Sequence, residues 1–254
     1  MLLHRSRHFL SAAAVLFTLG SVTLASDSVT VTTLNWPPYT GEDLPQMGAT
    51  TEVVREAFAA AGISTKVEVL PWKRAIDMAK NDAEAIAYFP GYHCRHVDGF
   101  VASEPIGNGP LGLAEHIDGP ITWETVDDLG EQKLKIGTVL GYANTDEFDE
   151  KAGTGWIRAL PAKDDLTNLK KLVRRRIDAA VIDKLVLSYL LATEAELKAD
   201  AASIRFNEHP LEDKTLFLCF RDTEEGRTLR DKFNDGLRQI DADKIVDDYF
   251  KYQF

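Results

Sequence analysis

Beyond residue 25 this 254-residue chain lacks any apolar run long enough to cross a membrane; the longest, residues 185–192, is interrupted by Ser188 and Tyr189. It also lacks a basic excess. Lys and Arg number 29 against 40 Asp and Glu, a formal net charge of −11. A chain this acidic repels nucleic acid and anionic lipid, so neither is expected as a partner. Internal repeats, low-complexity tracts and nucleophile motifs are missing as well. Cysteine is nearly absent: Cys94 and Cys219 are the only two, too few for a disulfide framework. Separation in sequence says nothing about Cα distance. The two are therefore read as separate buried thiols, with pairing as the alternative that an oxidising compartment allows. His93, Cys94 and His96 share one loop, but they lack the spacing of a closed zinc site and an evident fourth ligand, so neither metal nor cofactor is expected.

What is present begins with a secretory pattern. Arg5 and Arg7 precede an apolar run over residues 9–20, and Thr23 and Ala25 place small residues ahead of a cut at Ser26. The segment 1–25 is expected to be a cleaved signal peptide; a retained anchor is the alternative. Cleavage removes Arg5 and Arg7 and no carboxylate, which takes the net charge from −11 to −13. The remainder is long enough for one large domain or two small lobes, each with a core.

That remainder alternates strand-like and helix-like segments. Residues 29–34 are β-branched and alternating, and from Thr51 the period changes to place Val54, Ala57, Phe58 and Ala61 on one helical face. Residues 66–70 and 84–89 read as two further strands with a helix between them. Strand, helix, strand, helix, strand marks a parallel α/β unit. Residues 103–120 break the rhythm with three glycines and two prolines before Gly119. A second set follows: strands at 134–139, 156–160 and 178–182, a helix carrying Leu166, Leu169, Leu172 and Val173, and another helix from Lys184. One strand at 215–220 and two terminal helices close the chain. They are too little for a domain of their own, and the economical solution returns them to the first lobe. The expected division is 26–111 and 208–254 for lobe one and 112–207 for lobe two, with two crossings forming a hinge.

The wording of the sequence then carries a resemblance. Asn35-Trp36-Pro37-Pro38-Tyr39 follows the first strand, Pro71-Trp72-Lys73-Arg74-Ala75 the second, and Ser103-Glu104-Pro105-Ile106 the third. Gly137 and Gly141 open the second set, and Arg176-Ile177-Asp178-Ala179 runs on to Asp183. In this order the motifs resemble the family-3 bacterial extracellular solute-binding proteins, over essentially the whole mature chain. The resemblance implies a type II periplasmic-binding-protein fold: two α/β lobes that close on a small polar, carboxylate-bearing or amino-acid-like solute for an ABC importer. It implies a periplasmic monomer, an inner-membrane permease as partner, and no chemistry of its own. The alternatives are a periplasmic sensor of the same fold, and a dehydratase- or lyase-like enzyme using Glu84, Glu104 or Asp183 as general acid.

Ligands in α/β sheets sit at the carboxyl ends of strands. Those ends here carry Trp36, Tyr39, Trp72, Arg74, Tyr88, Arg95, Tyr142, Asn144 and Asp183. Arg95 stands where the family places its carboxylate-binding guanidinium, with Arg74 as a substitute. Asp183 matches the ammonium acceptor, and it also suits a helix N-cap. Trp36, Tyr39 and Trp72 can wall a pocket or pack a lobe. Tyr142 and Asn144 precede a helix start that favours an anion. The residues ahead of Arg95, Tyr88-Phe89-Pro90-Gly91-Tyr92, are bulkier than the family's small hydroxyl residues, which puts an ordinary α-amino-acid contact set in doubt.

Overall fold

A computed structural model describes residues 28–253 and, within them, all side chains except those of the last two residues. The segment read as a signal peptide lies outside the described residues. No helix among the described residues is long and apolar enough to cross a membrane.

The elements follow in the order β1 (Ser28–Thr33), α1 (Ala49–Ala60), β2 (Ser64–Val69), α2 (Trp72–Asn81), β3 (Ala85–Gly91), β4 (Phe100–Ala102) and β5 (Gly107–His116). Next come α3 (Val126–Glu131), β6 (Lys135–Val139), α4 (Asp146–Gly153), β7 (Arg158–Ala162), α5 (Asp165–Val173), β8 (Ala179–Asp183) and α6 (Lys184–Thr193). The chain ends with β9 (Ile204–Phe206), β10 (Glu212–Arg221), α7 (Glu224–Leu237) and α8 (Ala242–Gln253). The hydrogen-bonded strand order is β2-β1-β3-β10-β5-β8-β6-β7, with β4 on β10 and β9 on β5. The first half pairs β1 parallel with both β2 and β3, and the second pairs β6 parallel with β7 and β8. Every residue of β3 and of β8 is buried. Both therefore read as unbroken apolar runs, as strands covered on both faces do.

Two strands belong to both halves. The N-terminal part of β10 pairs antiparallel with β5 from Glu212↔Leu111 to Leu216↔Gly107, and its C-terminal part pairs with β3 and β4. The far part of β5 pairs with β8 and β9. The Gly- and Pro-rich stretch that reads as a break in the sequence is thus a ten-residue strand. Its glycines answer to neighbours. A Cβ on Gly109 would collide with the Asp183 carboxylate and the Tyr39 hydroxyl, and one on Gly112 with the Phe206 ring.

The core of the first half joins α1, β10 and α7. Phe58 packs on Phe220 and Phe233, with ring centroids 6.2 and 4.8 Å apart. A Cβ on Gly236 would strike the Ala57 carbonyl, so α7 lies directly against α1. In the second half the fully buried Glu115 accepts from Arg205 Nε at 2.8 Å, Ile121 N at 2.8 Å and Asn207 Nδ2 at 2.6 Å. A buried carboxylate is tolerated only when it is paired and hydrogen-bonded. This one fastens the loop after β5 to the segment that leads back toward β10.

The cysteines correct the sequence reading. Cys94 and Cys219 are not separate thiols: they form a disulfide with a Cα–Cα distance of 5.3 Å. It ties the turn after β3 to β10 across 125 residues of chain. Packing at the bridge is close enough that a Cβ on Gly91 would press on Cys219 Sγ. Cross-links that close long loops restrict the unfolded chain most. Replacing both cysteines by alanine should cost about 3 kcal/mol of stability, read as a lower urea midpoint with a steeper slope, because the released unfolded chain exposes more surface. Equal midpoints for the two proteins would show that the bridge adds nothing.

Candidate ligand-binding cleft

The strand ends place aromatic side chains from both halves around one pocket. Trp36 follows β1, Trp72 opens α2, Tyr88 lies in β3, Tyr92 comes just after it, and Tyr142 follows β6. Together they wall a pocket with a volume of about 70 Å³. The rings brace one another. Trp36 stacks on Tyr39 at 4.5 Å and meets Tyr92 edge-on at 5.9 Å. Trp72 meets Tyr88 edge-on at 5.4 Å and, across the cleft, Tyr142 at 6.4 Å. Offset and edge-to-face pairs of this kind suit the aromatic quadrupole. Trp72 Nε1 also donates to the Gly141 carbonyl at 3.1 Å, a second link between the halves.

Behind these rings lie two buried carboxylates. Asp183 ends β8 and caps α6: its Oδ1 accepts from Leu185 N at 2.8 Å and Val186 N at 3.2 Å. Tyr39 OH reaches across from the first half to 3.2 Å from both oxygens. Asp165 stands in the first turn of α5, beside the N-cap Asp164, and accepts a hydrogen bond from the Trp36 side chain. Neither has a cationic partner among the described residues. Burial raises the Asp183 carboxyl to about 7, although the N–H groups of Val186 and Leu185 and the Tyr39 hydroxyl pull the other way. Burial, then the charges of Asp183 and Asp164, raises Asp165 to about 7 as well. The same desolvation and the same acids push the Tyr39, Tyr92 and Tyr142 hydroxyls upward. Tyr92 OH is buried with no hydrogen-bond partner among the described residues.

Lys214 and Arg95 are already paired, and Lys73 lines an adjoining groove beside Trp72 and Tyr142 instead of this pocket. Lys214 is buried on β10, 2.7 Å from Glu212 and 3.4 Å from His93 Nε2, with its ammonium 5.6 Å from the centre of the Tyr92 ring. Arg95 sits outside the pocket with 67% of its side chain exposed and pairs with Asp146 at 2.8 Å. Arg74 is exposed on α2. Asn144 is turned to Asp149, donating from Nδ2 to Oδ1 at 2.6 Å. Of the residues chosen from the sequence, Trp36, Trp72, Tyr88 and Tyr142 line the pocket. Tyr39 and Asp183 meet behind it, and Arg74, Arg95 and Asn144 face elsewhere.

Sequence reasoning missed Asp165 and Lys214. Lys214 was readable: on alternating β10 it shares the buried register of Leu216 and Leu218. Asp165 was hidden as one more acid at a helix start. Two acids offered by the enzyme alternative are misplaced. Glu84 sits by the N-terminal end of β3, opposite the cleft, and Glu104 is bound to Arg238 on the outer face. His93, His96 and Asp146 bring one ligand atom each within 4.8 Å of one another, and Cys94 is withdrawn from that group by its disulfide. Arg95 already holds Asp146 and Lys214 stands beside His93. Both charges oppose a metal cation there.

No family model and no curated protein matches the sequence. Solved structures do match. The ligand-binding core of GluR0 from Nostoc punctiforme, in complex with L-glutamate, superposes with a TM-score of 0.67 at 18% identity, covering 89% of this chain and 99% of that one. A histidine kinase sensor domain similar to periplasmic binding proteins gives 0.73 at 14% identity, with coverage of 89% and 96%. The ABC transporter substrate-binding protein AbpA from Streptococcus pneumoniae, bound to L-arginine, gives 0.67 at 14% identity, with coverage of 88% and 94%. The chain has the periplasmic-binding-protein fold. At these identities the likeness extends to architecture, and the two halves joined by β5 and β10 are the two lobes of that fold.

The buried acids make stability depend on pH with a defined sign. In the unfolded chain each carboxyl loses its proton near 3.8, and in the folded protein near 7. The folded state binds more protons between those values, so this contribution falls as pH rises from about 4 to 7. Asp183→Asn keeps an N-cap oxygen, stays neutral, and relieves Asp165 of a neighbouring charge. Its melting temperature relative to wild type should climb through that window and level off above it. A difference that stays flat with pH would show that Asp183 is ionised throughout.

Proposed function

We propose that this chain is an extracytoplasmic solute-binding protein that captures a small organic solute between its lobes and presents it to an ABC permease. The observation that carries this reading is the pocket at the strand ends, walled by Trp36 and Trp72 of one lobe and Tyr142 of the other. Such a wall exists only when the lobes are together, so a ligand placed there favours the closed state by its differential affinity. The lobe limits proposed are 26–111 with 208–254, and 112–207. Residues 1–25 act in this reading as the export signal.

The amino-acid-like ligand implied by the family resemblance is only half supported. An ammonium group would find aromatic faces and two acids. A carboxylate would find no guanidinium facing the pocket, because Arg95 and Arg74 are exposed outside it. A sensor that docks on a receptor kinase is the second reading, favoured by the likeness to the histidine kinase sensor domain. An enzymatic role has less support: the pocket's acids stand behind its rings, with no nucleophile beside them.

A solute that binds only the native state at a hundred times its Kd stabilises it by about 2.7 kcal/mol. Amines, amino acids and organic acids should therefore include at least one compound that raises the melting temperature and lowers the radius of gyration in solution scattering. If no compound from a broad panel does either, solute capture is excluded. Permease and ATPase genes beside this one would favour import, and a lone kinase gene would favour sensing.

A further inference from the structure

The chemistry of the pocket narrows the solute class; this step rests on the binding-protein reading above. We infer that the pocket takes a small alkylated ammonium, an organic cation without a carboxylate. Three observations point the same way.

The first is the charge balance. Lys214 is paired with Glu212 and Arg95 with Asp146. Asp165 and Asp183 are buried and hydrogen-bonded only to neutral donors: Trp36, Tyr39 and backbone N–H groups. The negative charge without a counterion therefore lies on the inner side of the ring cluster. A cation entering the pocket supplies what the protein leaves out, and an anion is repelled.

The second is the wall. Trp36, Trp72, Tyr88, Tyr92 and Tyr142 present aromatic surface, and a cation against such faces is attracted by the ring quadrupole. The chain already uses this pairing, with the Lys214 ammonium 5.6 Å from the Tyr92 ring centre.

The third is the shortage of acceptors, which separates alkylated from primary ammonium. Asp183 already faces three donors and Asp165 is held by Trp36. The Tyr92 hydroxyl is a buried acceptor left unused among the described residues. Both carboxylates stand behind the rings and not in the pocket lining, so the three N–H groups of a primary ammonium would mostly face aromatic surface, and unsatisfied buried donors are costly. A tertiary ammonium brings one N–H, and a quaternary ammonium none.

The test uses the mature protein with two probes, trimethylammonium and tetramethylammonium chloride, and two controls, sodium chloride at equal ionic strength and tert-butanol as a neutral isostere. Both cations should raise the melting temperature and quench tryptophan fluorescence, and neither control should. Trp72→Ala should weaken their binding about tenfold. Asp165→Asn, which keeps the shape, should weaken it comparably and serves if Trp72→Ala does not fold. Stabilisation by tert-butanol equal to that by tetramethylammonium would overturn the charge argument. So would stabilisation by glutamate, arginine or acetate with none by either cation, and in both cases solute capture would stand. A melting temperature and radius of gyration indifferent to every compound would overturn the inference and solute capture together.

Discussion

The antiparallel pairing of β5 with β10 is the constraint on which this molecule depends. Only these two strands take part in the sheets of both lobes, so the lobes can separate only by bending them. Where they pass the cleft, β5 must lie against Asp183 and Tyr39, and the glycine at 109 is what that proximity demands. The contact between Tyr39 and Asp183 is thus a consequence of backbone path as much as of side-chain choice. It places one lobe's phenol against the other lobe's helix cap, at the point where the connecting strands run.

Closure has an electrostatic cost that the structure only partly offsets. Bringing the lobes together strips water from Asp165 and Asp183, and the groups that replace that water are neutral dipoles. Neutral donors stabilise a buried carboxylate less than an ion pair does. The protein holds cations within reach, but Lys214 and Arg95 are committed to Glu212 and Asp146. The result is a closed form whose inner face is short of positive charge.

Much of the fold was legible in the sequence, because the alternation of strand and helix periods survives in single segments. The limit was the stretch around Gly109 and Pro110. Local propensity reads glycine and proline as interruption, whereas here the close approach of Asp183 and Tyr39 requires Gly109 in a strand. The pocket walls were legible by residue type and by their place after strands: Trp36, Trp72, Tyr88 and Tyr142 all line it. Arg95 was not, because a position near a strand end does not say which way a long flexible side chain points. Its partner Asp146 is 51 residues away in the other lobe. The disulfide was illegible for a related reason: 125 residues of separation carry no distance until β10 is known to return beside β3.

That return has a consequence for the order in which the molecule can be built. Synthesis runs from the N terminus, and the first lobe's β3 must wait for β10, made more than a hundred residues later, to supply its second neighbour and its cysteine partner. The strands β5 to β9 of the other lobe all precede β10. Apart from β10, which both lobes share, the lobe begun second therefore has all its strands in hand before the lobe begun first is closed. The lobe begun first stays open at one edge until almost the whole chain has emerged.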